Sequence, residues 1–240
     1  MFSISILSAA TAGIASSATI TLREGVSPTT GYTSVSTTIR ADSPNNNYST
    51  DTRAIAGRLT GANGALIRTV MSYSLADIPA GATIDSISLF VQGSTNDSPS
   101  TAVSFSLHEL TTSFAGGTVT WNNSATGTVW GTAGGDFSTT VLSTINVTPS
   151  ANVGVGYSFA SSSDFVAAAQ RVLNSGSELS LLMKLTDESV TGRQIFFQHS
   201  DVSSTTAARP ALVINYTIPE PSAALLGITG AMGFFLRRRR

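Results

Sequence analysis

Apolar and polar residues alternate with a period of two in several segments of this chain. Such alternation is typical of β-strands that bury one face, and Gly- and Pro-containing turn sequences separate the segments. Many short strands joined by turns predict an all-β fold, an antiparallel β-sandwich of the jelly-roll type. The predicted strands cover residues 84–91, 103–108, 179–185, 195–199 and 211–217.

The segment that follows Ser162 has apolar residues at helical spacing instead. Ser162 or Asp164 is suited to capping the start of a helix, and Gly176 is suited to ending it. We expect one short helix that covers an end or an edge of the sandwich. Its apolar face consists of Phe165, Ala169, Val172 and Leu173.

The N-terminal segment has the composition of an export signal. Residues 2–15 are uncharged and mostly apolar, and the small residues Ser16, Ser17 and Ala18 follow them. We therefore interpret residues 1–18 as a signal peptide, although no Lys or Arg precedes the apolar run as the usual pattern requires. The alternative is a buried first strand.

The C-terminal residues 219–240 contain three features in a fixed order. Pro219-Glu220-Pro221 precedes an apolar run over residues 223–236, and arginines end the chain. Fourteen helical residues span about 21 Å, whereas the hydrocarbon core of a membrane is about 30 Å thick. The run therefore predicts a short, marginal transmembrane helix whose cationic end stays in the cytoplasm. The cationic residues are Arg237, Arg238, Arg239 and Arg240.

This order of features resembles the PEP-CTERM sorting signal. The resemblance implies export, transient anchoring in the inner membrane, and processing by exosortase, a transpeptidase-like membrane enzyme of Gram-negative bacteria that make extracellular polysaccharide. The mature protein would then lie at the cell surface or in the extracellular matrix. A plain C-terminal membrane anchor is the alternative.

Composition narrows the function classes. Charged residues make up 11% of the chain, against roughly 25% in a typical soluble domain. The 36 serines and 32 threonines suit strands and tight turns. Absence of cysteine excludes disulfides and thiolate chemistry. A mildly acidic body with a single lysine argues against a nucleic-acid partner.

Blocks of the central domain, residues 19–218, resemble the DNRLRE-type domain, which is related to disaggregatase and to a carbohydrate-binding module. The resemblance covers about 180 residues from Thr37 to Thr217, but the six-letter motif of the family name is absent. It implies a jelly-roll sandwich, and some members of the group bind acidic polysaccharides such as alginate. The blocks are residues 42–48, 68–91, 118–123 and 209–216.

Two tryptophans are the candidate sugar platforms, because an aromatic ring stacks on a sugar face while amides and guanidinium groups bond its hydroxyls. Trp121 stands in a Thr-Val-Thr-Trp segment that we expect to be a strand, so burial in the core is its alternative. Trp130 precedes Gly131 in an expected loop, where exposure and burial are both open. The polar partners would be Arg68, Asn122 and Asn123.

Two further groups of polar residues have side chains suited to metal binding or catalysis. Asp42, Asn45 and Asn47 provide oxygen ligands of the kind that a structural calcium prefers, although their spacing is not that of an EF-hand loop and an ordinary Asx-rich turn is the simpler explanation. His199, Ser200 and Asp201 are consecutive, and neighbouring strand residues point to opposite faces, so we do not expect a catalytic triad. No cofactor is predicted apart from that calcium.

The sequence therefore predicts a non-enzymatic exported surface or matrix protein with a polysaccharide-binding jelly roll. Its expected partners are the secretion machinery, exosortase, the membrane and an acidic extracellular polysaccharide. A structural or adhesive spacer without a specific ligand is the alternative. A polysaccharide-degrading enzyme would need clustered acidic residues or a metal ion in its active site, and no sequence motif indicates either.

Overall fold

The structure is a computed structural model that describes residues 15–60, 64–95, 102–148, 151–201 and 205–219. Over these ranges the chain forms thirteen β-strands, one α-helix and a short 3-10 turn, Thr206–Ala208. The strands are β1 (Ser16–Arg23), β2 (Ser34–Arg40), β3 (Arg53–Arg58), β4 (Leu66–Ser74), β5 (Thr83–Gln92), β6 (Val103–Glu109), β7 (Asn123–Ala125), β8 (Thr128–Val129), β9 (Ser143–Val147), β10 (Gly156–Phe159), β11 (Glu178–Leu185), β12 (Arg193–Gln198) and β13 (Ala211–Ile218); the helix α1 is Ser163–Ser175.

The strands form two main antiparallel sheets and one small hairpin. A four-stranded sheet has the order β1-β13-β5-β10. A seven-stranded sheet has the order β12-β3-β4-β11-β6-β9, with β2 paired to β4, and β7 pairs with β8 on its own. The predicted all-β sandwich and all five predicted strands are confirmed, although His199 lies one residue beyond the end of β12.

The main core fills the space between the two sheets. Alternation brings Phe105 and Leu107 of β6 and Leu179 and Leu181 of β11 into this core. In β5 the pairing with β13 shifts between Asn215 and Tyr216, where a β-bulge adds a residue. Bulges reverse the alternation locally, which is why the buried residues of β5 are spaced three apart at first and two apart afterwards. They are Ile84, Ile87, Leu89 and Val91.

A second, smaller core lies on the other face of the seven-stranded sheet. The segment 110–137, which includes the β7–β8 hairpin, folds over this face and buries apolar residues against it. The central strands β4 and β11 are consequently buried on both faces. Strands buried on both faces lose the simple polar–apolar alternation, as the sequence of β4 illustrates. The second core comprises Ile39, Val70, Leu110, Val119, Trp121, Trp130 and Leu182.

Helix α1 packs against β5 and β11, and its predicted position and caps are confirmed. The Ser162 hydroxyl accepts a hydrogen bond from the Phe165 backbone N–H at 3.0 Å and donates one to the Leu142 carbonyl. Gly176 ends the helix in the left-handed conformation, with φ of 70°. The Gln170 side chain connects the helix to the start of β5. Its amide oxygen accepts a hydrogen bond from the Ile84 backbone N–H, and its amide nitrogen donates one to the Ala82 carbonyl.

The first and last strands pair at one edge of the four-stranded sheet. Ser16 and Ile218 are paired across β1 and β13, so the predicted signal residues 16–18 form the start of β1. Within the described residues, no helix has both the length and the apolar character that crossing a membrane requires. The predicted C-terminal helix at 223–236 and the arginines after it lie outside the described residues, as do Glu220 and Pro221.

Candidate functional site

Arg68 is buried beneath the segment that covers the outer face of the seven-stranded sheet. Its guanidinium carbon lies 5.1 Å from the ring centroid of Trp121 and 5.1 Å from that of Phe137. Nη1 donates to the Gly134 carbonyl at 2.7 Å, and Nε and Nη2 each donate to a carboxylate oxygen of Glu188 at 2.9 Å. Arg68 is therefore a link between sheet and covering segment, with its donors directed at the protein.

The Arg68–Glu188 pair forms a partly buried charge cluster with Lys184, whose amino group lies 3.5 Å from Glu188. Burial raises the pKa of the Glu188 carboxyl, but hydrogen bonding to Arg68 and the charges of Arg68 and Lys184 outweigh burial. The net result is a pKa below the ordinary value. Glu188 is thus held ionised at neutral pH, as a bidentate arginine contact requires.

Both tryptophans are buried, with 9% exposure for Trp121 and 4% for Trp130. The Trp130 indole N–H donates to the Thr120 carbonyl at 3.0 Å. A Cβ atom placed on Gly134 would come within 2.7 Å of the Trp121 ring, which shows how closely this turn covers the indole. Neither ring presents a free face on which a sugar could stack.

Residues 118–121 do not form the strand that the sequence predicts. The backbone N–H groups of Thr118 and Val119 donate to Ala115, and that of Thr120 donates to Asn123. These hydrogen bonds within a tight turn replace those of a ladder, and β7 begins only at Asn123. The expectation of a strand here was wrong because local turn bonding decides the conformation.

Asp136 holds the turn that covers Trp121. Its carboxylate accepts hydrogen bonds from the backbone N–H groups of Gly131 and Thr132, at 2.8 and 2.7 Å, and from the Thr112 hydroxyl. Burial raises the pKa of Asp136, yet these hydrogen bonds outweigh it and leave the pKa below its ordinary value. An ionised Asp136 therefore contributes to keeping the indole covered.

The two predicted asparagine ligands serve loop contacts in the structure. The Asn122 side chain donates to the Asn45 amide oxygen at 2.9 Å, and its backbone N–H donates to the Pro44 carbonyl. The Asn123 backbone N–H donates to the Thr120 hydroxyl at 3.0 Å. The structure thus brings Arg68 and Trp121 together, and Asn122 and Asn45 together, but through contacts within the protein.

The candidate calcium ligands are also engaged with protein donors. Both carboxylate oxygens of Asp42 accept from Arg40, which holds the pKa of Asp42 below its ordinary value. The Asn47 oxygen accepts from Ser49, and its amide group donates to two carbonyls of the covering segment. Within the described ranges, no three acidic, histidine or cysteine side chains are grouped so that they could hold a metal ion. Calcium at Asp42, Asn45 and Asn47 stays a prediction that would require displacement of these donors.

His199, Ser200 and Asp201 make contacts unlike those of a triad. His199 is 1% exposed, and its Nδ1 accepts from the Asp201 backbone N–H at 3.1 Å. Its Nε2 is buried without a hydrogen-bond partner, while Ser200 exchanges two hydrogen bonds with Ser36. The imidazole therefore does not contact the serine hydroxyl that a triad would activate.

A polar groove of about 660 Å³ lies at the ends of β6 and β11, beside the last turns of α1. The sequence interpretation did not single it out. Its wall is rich in hydroxyl groups, and three charged side chains, Glu109, Arg171 and Glu178, accompany them. No lining residue is aromatic. The hydroxyl-bearing residues are Thr111, Ser113, Ser138, Ser175, Ser177 and Ser180.

Glu109 and Arg171 form the ordered charge pair of this groove. Two guanidinium nitrogens of Arg171 donate to the two carboxylate oxygens of Glu109, at 2.6 and 3.0 Å. This hydrogen bonding raises the pKa of Arg171. The Glu109 side chain is 14% exposed and that of Arg171 is 62% exposed, so the guanidinium forms the solvent-facing rim. Chemically, the groove offers hydroxyl donors and acceptors together with charge-assisted partners.

Only the three-dimensional fold brings this pair together, because 62 residues separate Glu109 from Arg171. Glu109 is the last residue of β6, and Arg171 lies on the polar face of α1. The polar face of the predicted helix was the one sequence signal that pointed toward this pair.

Comparison of the chain with models of known protein families gives no match, and comparison with curated proteins gives none either.

Proposed function

We propose that this chain is an exported, non-enzymatic surface or matrix protein that binds polysaccharide in the groove beside α1. The observation that carries the proposal is the wall of six hydroxyl-bearing side chains around about 660 Å³ of open space. Sugars present dense hydroxyl groups, and serine and threonine side chains donate to and accept from them equally well. The jelly-roll topology implied by the DNRLRE resemblance belongs to the same proposal.

The openness of the groove suits a position along a polysaccharide chain better than a small molecule. Small-molecule sites enclose most of the ligand and are lined largely by apolar groups. Here nine of the eleven described lining residues are polar or charged and none of them is aromatic, so we expect modest affinity at each site. Tight retention would come from many copies binding one polymer, which increases the effective concentration.

Export and sorting form the second part of the proposal. The apolar N-terminal segment would direct secretion, and Pro219, Glu220 and Pro221 with the following apolar run and arginines would hold the chain for exosortase. Pro219 comes directly after Ile218, the last residue of β13. We therefore expect processing at a point with almost no spacer between the motif and the folded domain.

The sorting claim is tested by deleting residues 219–240 from the full chain and fractionating the producing cells. The proposal predicts that the shortened protein folds but appears in the medium or periplasm instead of at its normal location. Replacing only Arg237, Arg238, Arg239 and Arg240 by Ser is the matched variant. Normal surface location of both variants contradicts the sorting claim.

The binding claim is tested by affinity electrophoresis of the full-length chain, solubilised in mild detergent, through gels containing soluble polysaccharides. Ser113→Trp fills the groove from an exposed position, and Thr126→Trp in the exposed β7–β8 turn is the control. We expect retardation of the wild type and of Thr126→Trp, but not of Ser113→Trp. Equal mobility of all three with every polysaccharide would favour the spacer alternative.

A further inference from the structure

The charges of the groove bear on which class of polysaccharide it accepts, an inference that rests on the proposed function. Three charged side chains line the groove, and two of them are carboxylates. Arg171, the one cation among the described lining residues, directs two of its nitrogens at Glu109, so its charge is already compensated. Glu178 is exposed, and no further cation lines the groove within the part of the chain that the structure describes.

Glu178 also has carboxylate neighbours outside the groove. The Tyr32 hydroxyl, which donates to the Ser74 carbonyl, is close enough to Asp77, Glu178 and Glu24 for their charges to act on it. Burial of Tyr32 together with these three carboxylates raises the pKa of its phenol. Glu178 therefore belongs to both the groove and this acidic neighbourhood.

A uronate or sulfated chain entering the groove would bring its anions toward Glu178 and would have to compete with Glu109 for Arg171. Like charges at short range oppose binding unless a counter-charge is available. A neutral polysaccharide meets no such opposition, because its hydroxyls donate to the carboxylates in charge-assisted hydrogen bonds. The exposed guanidinium of Arg171 can donate a further hydrogen bond to a ligand hydroxyl oxygen at the rim.

We propose that the groove selects neutral, polyhydroxylated polysaccharides and rejects acidic ones. This preference is opposite to the acidic ligands that the DNRLRE resemblance implies. It also assigns a role to Glu178, whose carboxylate repels anionic polymers from the groove. Replacing Glu178 by lysine should make the groove attract anions instead.

The test compares neutral and acidic polymers on the full-length chain in detergent, using dextran and galactomannan against alginate and polygalacturonate at low salt. The variants are Glu178→Lys in the groove and Asp201→Lys, an exposed acidic residue outside it, as the control of equal charge change. We expect the wild type to bind a neutral polymer only. Glu178→Lys should gain roughly tenfold in affinity for an acidic polymer, and salt should remove the gain.

Three outcomes distinguish the claims. Binding of alginate or polygalacturonate by the wild type, abolished by Ser113→Trp, overturns the neutral preference and leaves the proposed function standing. An equal gain from Asp201→Lys and Glu178→Lys overturns the role of Glu178, because net charge alone then explains it. Absence of binding to all four polymers by every variant overturns this inference and counts against the groove as a polysaccharide site.

Discussion

Ser16 lies directly opposite Ile218 in the antiparallel pairing of β1 with β13. The first strand of the described domain therefore begins next to the place where its last strand ends. In the proposed exported protein, both membrane-directed segments would start from the same edge of the four-stranded sheet. The domain would hang from that edge while the tail is anchored.

The same pairing makes stability depend on where the signal is cleaved. Cleavage after Ala18 removes Ser16, Ser17 and Ala18, which pair with Ile218, Thr217 and Tyr216. Alternate pairs of an antiparallel ladder carry two hydrogen bonds each, so cleavage removes at least two. At about 0.5–1.5 kcal/mol net for each, a chain that begins at Thr19 should have an unfolding free energy about 1–3 kcal/mol lower than one that begins at Ser16. Urea denaturation of the two chains measures the difference, and equal midpoints would show that the first three residues of β1 contribute nothing to stability.

Breaking the Arg68–Glu188 pair should destabilise the protein strongly. Glu188→Gln leaves the buried guanidinium without its counter-charge, which typically costs about 3–5 kcal/mol. Since Arg68 stacks on Trp121, the fluorescence of the folded state should change as well. Asp187→Asn, at the exposed neighbouring position, is the control, and equal unfolding free energies for the two variants would contradict the structural role of the pair.

Acidification should weaken the fold through its two histidines. Burial is the largest influence on His108 and on His199, and it holds the pKa of each below the ordinary 6.5. The unfolded chain therefore takes up protons first, so stability is fully present above about pH 6.5 and decreases as the pH falls toward the folded-state pKa values. In that window, each histidine lowers the free energy of unfolding by at most about 1.4 kcal/mol for each pH unit of acidification.

Urea unfolding at pH 7.5, 6.5 and 5.5 measures this dependence. We expect His199→Gln to reduce the loss of stability between pH 6.5 and 5.5, because the unpartnered Nε2 then no longer titrates. A variant with the same slope as the wild type would show that His199 stays neutral or becomes charged equally in both states. Carboxylates such as Glu188, whose folded pKa is lowered, contribute only at lower pH.

Alanine substitutions at Gly134 and Gly176 distinguish the cost of backbone strain from the cost of steric overlap. Both have positive φ, 93° and 70°, so alanine costs about 1 kcal/mol at either position. A Cβ at Gly134 would also collide with the Trp121 ring, whereas nothing lies within 4 Å at Gly176. Gly134→Ala should therefore be the more destabilising by about 1–3 kcal/mol, measured by thermal unfolding. Equal losses would show that the turn does not pack on the indole as described.

Local rules were sufficient for much of the fold. Period-two alternation predicted β5, β6 and β13, and the caps at Ser162 and Gly176 predicted α1, because each feature depends on residues close in sequence. The covering segment could not be predicted in this way. Its position depends on contacts between residues far apart in sequence, such as that of Arg68 with the Gly134 carbonyl, 66 residues away.

The candidate site illustrates the same limit. Chemistry alone grouped Arg68 with Trp121, and the structure does bring them together. Their burial, however, comes from Phe137, Glu188 and the turn at Gly134, which no local pattern reveals. The groove beside α1 likewise exists only after β6, β11 and the helix have packed, so its serines were indistinguishable from the many others in the chain.

Hydrogen–deuterium exchange of the full-length protein, with and without saturating neutral polysaccharide, tests most directly whether the groove is the binding site. We expect the polysaccharide to slow exchange in residues 109–113 and 171–180. We expect no change in residues 121–131, which contain the two buried tryptophans. Protection confined to 121–131 would move the site to the covering segment. Binding without any protection at the groove would contradict the central claim.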